Sequence, residues 1–174
     1  MFYALVVDAD GNGMSARFYP EEPTSYPSNE IPCTEAQAKI PAAYQVVNGQ
    51  IVESLSYAKT SQIALLRSAC QSAITGDFTS SALGSVYSYP SDANTQTNIN
   101  SAAGNPSGGE IRCTLTPTAP SWPLVAHTQS QAQTVLTALM AWVNGCQNQL
   151  DTLIAQVNAA TTVSEVRAIT WTAP

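Results

Sequence analysis

The chain has 174 residues, of which 44% are hydrophobic and only 10% are charged. This length and hydrophobic content are typical of a globular protein with its own core, and they argue against extended disorder. The formal net charge is −6, and the six Lys and Arg residues are scattered, so no basic stripe is present to bind a phosphate backbone. We therefore expect no nucleic-acid partner, and the same shortage of cations argues against binding to anionic lipid.

Neither a membrane span nor a secretory leader is expected. No apolar run approaches the roughly 20 residues that cross a bilayer. The first residues lack a basic segment and become acidic at Asp8, which is unlike a signal peptide. The four cysteines are widely spaced and the chain has a single histidine, so we predict reduced thiols, no metal site and no cofactor.

Residues 1–57 predict a small β-rich N-terminal module. The predicted elements are, in chain order, a strand over 2–7, a turn over 8–13, a strand over 14–19, irregular chain over 20–33, a short helix over 35–39 and a hairpin over 44–54. Four prolines forbid regular structure in the irregular segment. Thr34 is a good N-cap for the short helix, and Asn48-Gly49 between apolar pairs is a strong hairpin signal.

The predicted turn at residues 8–13 has the acidic spacing of the first half of a calcium-binding EF-hand loop. That loop requires a bidentate Glu at its twelfth position, where this chain has Tyr19. It also requires a flanking helix on each side, whereas a predicted strand enters this turn. We therefore interpret the segment as a hairpin turn.

Residues 58–174 predict a helical domain built on a helical hairpin, so the fold class is α+β. The predicted elements are a helix over 60–75 capped by Thr60 or Ser61, an irregular or β insertion over 77–126 and a long helix over 128–160. Within the insertion, strands are predicted at 86–89 and 111–115, and loops at 101–110 and 116–123, with Gly108-Gly109 read as flexible loop. Thr128 and Gln131 form a T-x-x-Q capping box, and Gly145 could break the long helix.

Several polar and aromatic side chains of the insertion and its borders are candidate site residues, because each can make several hydrogen bonds. They are Tyr89, Asp92, Gln96, Asn98, Trp122, His127 and Gln131. Two interpretations stay open. The residues could form a structural network that holds an irregular chain against the long helix, or they could form a surface that contacts a partner.

His127 is the only histidine and so the only ready general base near neutral pH. A serine nucleophile could use it, with Asp77 or Asp92 orienting the imidazole. However, the sequence contains no G-x-S-x-G motif, and a histidine just before a helix cap commonly bonds to backbone. We predict a structural role for His127 and no enzymatic activity.

The order of the motifs resembles a known phage family. The N-terminal part resembles the small module of bacteriophage tail-fibre assembly proteins, and the rest resembles a C-terminal phage domain of unknown function often fused to it. The N-terminal resemblance rests on G-x-x-x-x-ARFYP from Gly11, on Ile31-Pro-Cys-Thr-Glu-Ala-Gln37 and on Asn48-Gly-Gln-Ile-Val52. The C-terminal resemblance rests on Arg67 to Cys70, Ile74-Thr-Gly76, Ala82-Leu-Gly84, Tyr87-Ser-Tyr-Pro-Ser-Asp92, Gln96-Thr-Asn98, Trp122, His127-Thr128-x-x-Gln131, Ala159-Ala160-Thr161 and Ile169-Thr-Trp171.

The resemblance implies a phage tail protein that binds a tail fibre or baseplate partner. The protein would be a fibre assembly factor, a structural subunit retained in the virion, or both. The resemblance places it in the host cytoplasm during assembly and, if it is retained, in the virion tail. It carries no catalytic residues, and a homo-oligomer is compatible with it. The alternative is a carbohydrate-binding module that contacts the host surface. In that alternative Tyr87, Tyr89 and Trp122 would supply ring platforms beside Asp92, Gln96 and Asn98.

Overall fold

The computed structural model describes residues 1–115 and 122–174, and it has the predicted α+β architecture. The strands are β1 (Phe2–Val7), β2 (Gly13–Tyr19), β3 (Glu30–Cys33), β4 (Tyr44–Val47), β5 (Gln50–Glu53), β6 (Asp77–Ser80), β7 (Tyr87–Pro90), β8 (Gly109–Arg112) and β9 (Leu124–His127). The helices are α1 (Glu35–Lys39), α2 (Leu55–Ile74), α3 (Ala93–Gly104), α4 (Gln129–Ala159) and α5 (Val163–Ala168), with a 3-10 turn at Pro41–Ala43.

The chain forms two compact units. Unit 1 consists of residues 1–64 and 155–170, and unit 2 consists of residues 65–154 and 171–174. Unit 1 therefore combines the N-terminal β-rich segment with the end of α4 and with α5. The domain boundary predicted between residues 57 and 58 lies inside α2, and it remains a prediction.

Unit 1 contains a three-stranded antiparallel sheet in the order β2-β1-β3. Leu5 in the central strand is fully buried and lies opposite Ala16 and Ile31. The prediction of irregular chain over 20–33 is wrong at its end, where β3 pairs with β1. Pro32 is compatible with this strand because β3 is an edge strand, where a missing N–H need not break a ladder on both sides.

The local predictions in unit 1 are confirmed where a cap or turn signal carries them. The Thr34 side chain accepts from the Gln37 N–H, and the Gln37 side chain accepts from the Thr34 N–H, which completes a capping box on α1. The β4–β5 hairpin turns at Asn48 and Gly49, whose φ values of 53° and 77° are those of a type I′ turn. At the other end of the chain, Arg167 of α5 bonds Glu53 of β5 at 2.7 Å.

Helix α2 begins at Leu55, five residues before its predicted start at residue 60. The Oγ of Ser54 accepts from the N–H of Tyr57 at 3.4 Å, so the cap lies upstream of the predicted Thr60 or Ser61. Thr60 instead lies inside α2, where its hydroxyl donates to the carbonyl of Ser56 at 3.0 Å. Within unit 2 the second half of α2 contacts α4: Trp142 Nε1 donates to the carbonyl of Ala73 at 3.1 Å.

Helix α4 runs without a break from Gln129 to Ala159, close to the predicted 128–160. The predicted capping box is confirmed: Thr128 Oγ1 accepts from the N–H of Gln131, and Gln131 Oε1 accepts from the N–H of Thr128. Gly145 does not interrupt the helix. A Cβ on Gly145 would lie 3.3 Å from Pro174, so glycine leaves room for the C-terminal residue.

The insertion is more regular than predicted. Residues 101–110, predicted as a loop, contain the end of α3 and the start of β8, and α3 itself was not predicted. The pairs β6–β7 and β8–β9 are antiparallel. A loop was predicted over 116–123, and residues 116–121 of it lie outside the described residues. The insertion packs on the first half of α4. The buried core is formed by Phe78, Tyr89, Ile99, Ala102, Ala103, Ile111, Cys113, Ala132, Val135 and Leu139.

Candidate functional site

Two of the predicted site residues, Tyr89 and His127, form a buried pair in unit 2. Tyr89 lies in β7 and His127 ends β9, and their side chains are almost completely buried. His127 Nδ1 lies 2.8 Å from the carbonyl of Val125, which can only accept, so Nδ1 carries the proton. His127 Nε2 therefore accepts from the Tyr89 hydroxyl at 3.0 Å. The His127 side chain therefore joins the two hairpins, β6–β7 and β8–β9.

The surroundings of Tyr89 keep its phenol protonated. Burial raises the pKa of Tyr89 strongly, and the neighbouring Cys113 thiol raises it further. The ring of Tyr89 also stacks on Phe78, with ring centroids 5.5 Å apart. Tyr89 is therefore part of the core, and its ring face is not open to a ligand.

Asp92 and Gln96 hold the start of α3. Asp92 is the N-cap, and its carboxylate accepts from the N–H groups of Asn94 and Thr95 and, at 2.6 Å, from the Thr95 hydroxyl. These bonds, led by the Thr95 hydroxyl, hold the pKa of Asp92 below its usual value. Gln96 Nε2 donates to the carbonyl of Ser91 at 2.8 Å. The side chains of Asp92 and Gln96 thus form hydrogen bonds to residues close to them in sequence.

The other three predicted site residues lie apart from this cluster. Gln131 belongs to the capping box of α4. The carbonyl of Trp122 accepts from the Arg112 guanidinium at 2.8 Å, and the Trp122 side chain is half-buried. Asn98 is exposed on α3. The seven residues therefore do not converge on one site, and five of them have structural hydrogen bonds through their side chains.

The geometry around His127 offers no nucleophilic machinery. Both ring nitrogens are occupied, one by the Val125 carbonyl and the other by the Tyr89 hydroxyl. The carboxylate of Asp92, one of the two suggested orienting groups, is used in capping α3. Among the residues that the structure describes, no three His, Cys, Asp or Glu side chains lie close enough to hold a metal ion.

A groove lies between α3 and α4 in unit 2. Its cavity volume is about 420 Å³. The lining residues are Gln96, Asn100, Leu136, Leu139, Met140, Val143, Asn144 and Gln147. Its apolar lining comes from α4, and four amide side chains, from both helices, complete the lining. Met140 is 57% exposed although it is one of the apolar lining residues.

The groove contains no ionisable side chain. Gln96 Nε2 already donates to Ser91, so Gln96 offers its acceptor oxygen, whereas the amides of Asn100, Asn144 and Gln147 each carry a donor and an acceptor. This set matches the backbone N–H and C=O groups of a polypeptide. Charge depletion with exposed Met is a property of interface centres rather than of ordinary surface. The arrangement can therefore receive a chain segment of low charge and bond its backbone.

Gln96 was predicted from the sequence as a site residue, but the α3–α4 groove was not predicted. The lining residues that were not predicted as site residues are Asn100, Leu136, Leu139, Met140, Val143, Asn144 and Gln147. The detectable signal was the pair Leu136 and Met140, which are four residues apart on a helix and so lie on one face. That face could be found from the sequence, but the presence of α3 beside it could not, because α3 was not predicted.

No helix in the described ranges is both long and apolar enough to cross a membrane. No curated protein and no solved structure gave a match to the chain. Residues 57–170 match the family model described as Domain of unknown function (DUF4376). This match covers more than half of the 174 residues, including α3, α4 and the groove between them. The chain therefore belongs to the DUF4376 family.

Proposed function

We propose that this chain is a bacteriophage tail protein that binds a tail fibre or baseplate partner. It acts as a fibre assembly factor, as a structural subunit retained in the virion, or as both, and it has no enzymatic activity. It works in the host cytoplasm during assembly and, if retained, in the virion tail. The motif order described above supports this proposal, as does the α3–α4 groove.

The observation that carries the proposal is the uncharged, amide-lined groove. Four amides and four apolar side chains line the groove, and Met140 is the strongly exposed member of the apolar set. A segment of a fibre protein with few charges would bury apolar side chains on this apolar lining, at about 25 cal/mol per Å² of buried apolar surface. The amides would then satisfy backbone groups that lose water on binding.

The carbohydrate-binding alternative at Tyr87, Tyr89 and Trp122 has less support. Tyr89 is fully buried between Phe78 and His127, so it cannot stack on a sugar ring. Asp92 is engaged with Thr95. The proposed platform therefore retains only Tyr87 and Trp122.

Co-expression with the tail-fibre protein of the same phage tests the proposal. With an affinity tag on this chain, we expect the fibre protein to co-purify. If the chain is an assembly factor, the yield of soluble fibre trimer falls when the chain is omitted. Absence of both co-purification and any effect on trimer yield, for fibre and baseplate proteins alike, would overturn the proposal.

Mass spectrometry of purified virions distinguishes the two forms of the proposal. Peptides of this chain at a constant ratio to the fibre protein indicate a retained subunit. Their absence from virions, together with co-purification from infected cells, indicates a transient assembly factor.

A further inference from the structure

Unit 1 contains a second, chemically different pocket at the junction of the 3-10 turn, β5, α2 and α5. Its cavity volume is about 240 Å³. Two tyrosine rings, those of Tyr44 and Tyr57, line it together with the Glu53–Arg167 ion pair and Gln62. Drug-sized ligands occupy sites of roughly 300–1,000 Å³, so this pocket suits a ligand of about one ring.

The Glu53–Arg167 ion pair that lines the pocket leaves part of its hydrogen-bonding capacity unused. Arg167 Nη2 and Glu53 Oε1 are 2.7 Å apart, and this one bond joins the two groups. The second carboxylate oxygen of Glu53 can still accept, and the guanidinium of Arg167 has further N–H groups that can donate. Neighbouring hydroxyls on a small ring present a donor and an acceptor side by side, which is the complement of such a pair.

The charges of the pocket select a neutral ligand. Glu53 and Arg167 neutralise each other, so neither an anion nor a cation gains a full unpaired charge. The net charge of the chain, −6, further disfavours anions. The tyrosines add apolar ring surface and hydroxyl groups, and Tyr57 is 37% exposed. A polyhydroxylated ring with an apolar face fits these requirements.

The geometry points to a binding site for a neutral monosaccharide unit in this pocket of unit 1. The site is separate from the residues of the carbohydrate alternative considered above, all of which lie outside unit 1. It does not depend on the tail-fibre proposal, because the α3–α4 groove belongs to unit 2 and shares no lining residue with it.

Saturation-transfer NMR on the full chain tests this site, with a panel of free glucose, galactose, N-acetylglucosamine and rhamnose as probes. We expect transfer to at least one of these sugars. Tyr57→Ala removes a ring, and Arg167→Lys keeps the charge but removes the planar fork. Each variant should weaken binding about tenfold or more, the effect of losing one good contact.

Phe18→Ala is the matched control, because Phe18 is an exposed aromatic residue of the same unit outside this pocket. Its binding should equal that of the unmodified chain. Tyr57→Phe keeps the ring and removes only the hydroxyl, and it serves if Tyr57→Ala does not fold. No transfer to any of the four sugars would overturn the inference. Transfer that persists unchanged in the pocket variants would also overturn it. Glucuronate serves as an anionic comparison probe, and transfer to glucuronate but to none of the four neutral sugars would overturn the inference as well.

Discussion

Single residues hold unit 2 together through a few buried contacts between distant parts of the chain. Tyr89 and His127 are 38 positions apart, and their hydrogen bond joins β7 to β9. Gly108, directly before β8, approaches the same histidine so closely that a Cβ would lie 2.0 Å from the His127 carbonyl oxygen. Each of these contacts has a specific consequence when it is altered.

Tyr89→Phe should destabilise the protein without changing its fold. The ring and its packing on Phe78 remain, but His127 Nε2 is left buried without a donor, which costs about 1–3 kcal/mol. At this chain length we expect the melting temperature to fall by about 2–4 °C for each kcal/mol. Thermal unfolding followed by circular dichroism measures this, with Tyr87→Phe in the same strand as the control. Equal stability of Tyr89→Phe and the unmodified chain would refute the buried bond.

Gly108→Ala should be more destabilising than a typical glycine substitution. The φ of Gly108 is +71°, and the left-handed conformation alone costs an alanine about 1–2 kcal/mol. Gly84 has a φ of +87° with nothing within 4 Å of its added Cβ, so Gly84→Ala measures the conformational cost alone. Chemical denaturation should give a clearly larger loss for Gly108→Ala. Equal losses would mean that the predicted clash is relieved and that Gly108 is a flexible loop residue after all.

Among the helices and strands, those fixed by nearby residues were predicted well, and those that depend on contacts with distant parts of the chain were not. The Asn48-Gly49 turn and the Thr128–Gln131 capping box each depend on residues within three positions of one another, and both were predicted. Helix α3 was not, because its buried stripe contains only one large apolar residue, Ile99, besides Thr95 and two alanines. Its stability comes from packing in the core of unit 2, against β8 as well as α4. The apolar periodicity of a polar segment does not indicate such packing.

The same reasoning applies to the candidate site. Gln96 was singled out by its hydrogen-bonding capacity, whereas the groove depends on α3 lying beside α4. That neighbourhood is set by contacts such as those of Gln129 and Gln133, whose side-chain amides both reach the carbonyl of Ala103 at 3.4 Å. Long-range pairing of this kind has no local sequence signal.

Asp92→Ala should weaken α3 in a pH-dependent way. Loss of an N-cap costs about 0.5–2 kcal/mol at neutral pH. Because the folded pKa of Asp92 is lowered, its contribution is present above the ordinary carboxyl pKa of about 3.9 and is lost as the pH falls through the folded pKa. The difference in unfolding free energy between Asp92→Ala and the unmodified chain should therefore shrink from pH 7 to pH 2.

Asp92→Asn provides the control for that experiment, because asparagine caps helices about as well and does not titrate in this range. The difference in unfolding free energy between Asp92→Asn and Asp92→Ala should therefore not shrink at low pH through protonation of an aspartate. A difference between the unmodified chain and Asp92→Ala that stays constant over the same pH range would show that the charged cap is not used.

On the scale of the whole molecule, the low charge content appears as a surface property of unit 2. Helix α3 contains no charged residue, and α4 contains one, Asp151, in 31 residues. A surface with so few charges is unusual for a monomeric protein, because surface charge normally keeps protein molecules hydrated and apart. The α3–α4 groove is a concave part of this exterior, and it supports the proposal that this chain docks on a tail fibre or baseplate protein.

The most direct test of this account is the affinity of the full chain for the tail-fibre protein of the same phage, measured by titration calorimetry with Met140→Glu and Leu65→Glu. Both substitutions place a charge at an exposed apolar residue of unit 2, since Met140 is 57% and Leu65 is 63% exposed, but only Met140 lines the groove. We expect Met140→Glu to raise the Kd about tenfold or more, as for a residue at an interface centre, and Leu65→Glu to leave the Kd unchanged. Equal Kd values for Met140→Glu and the unmodified chain would contradict the assignment of the groove as the docking surface.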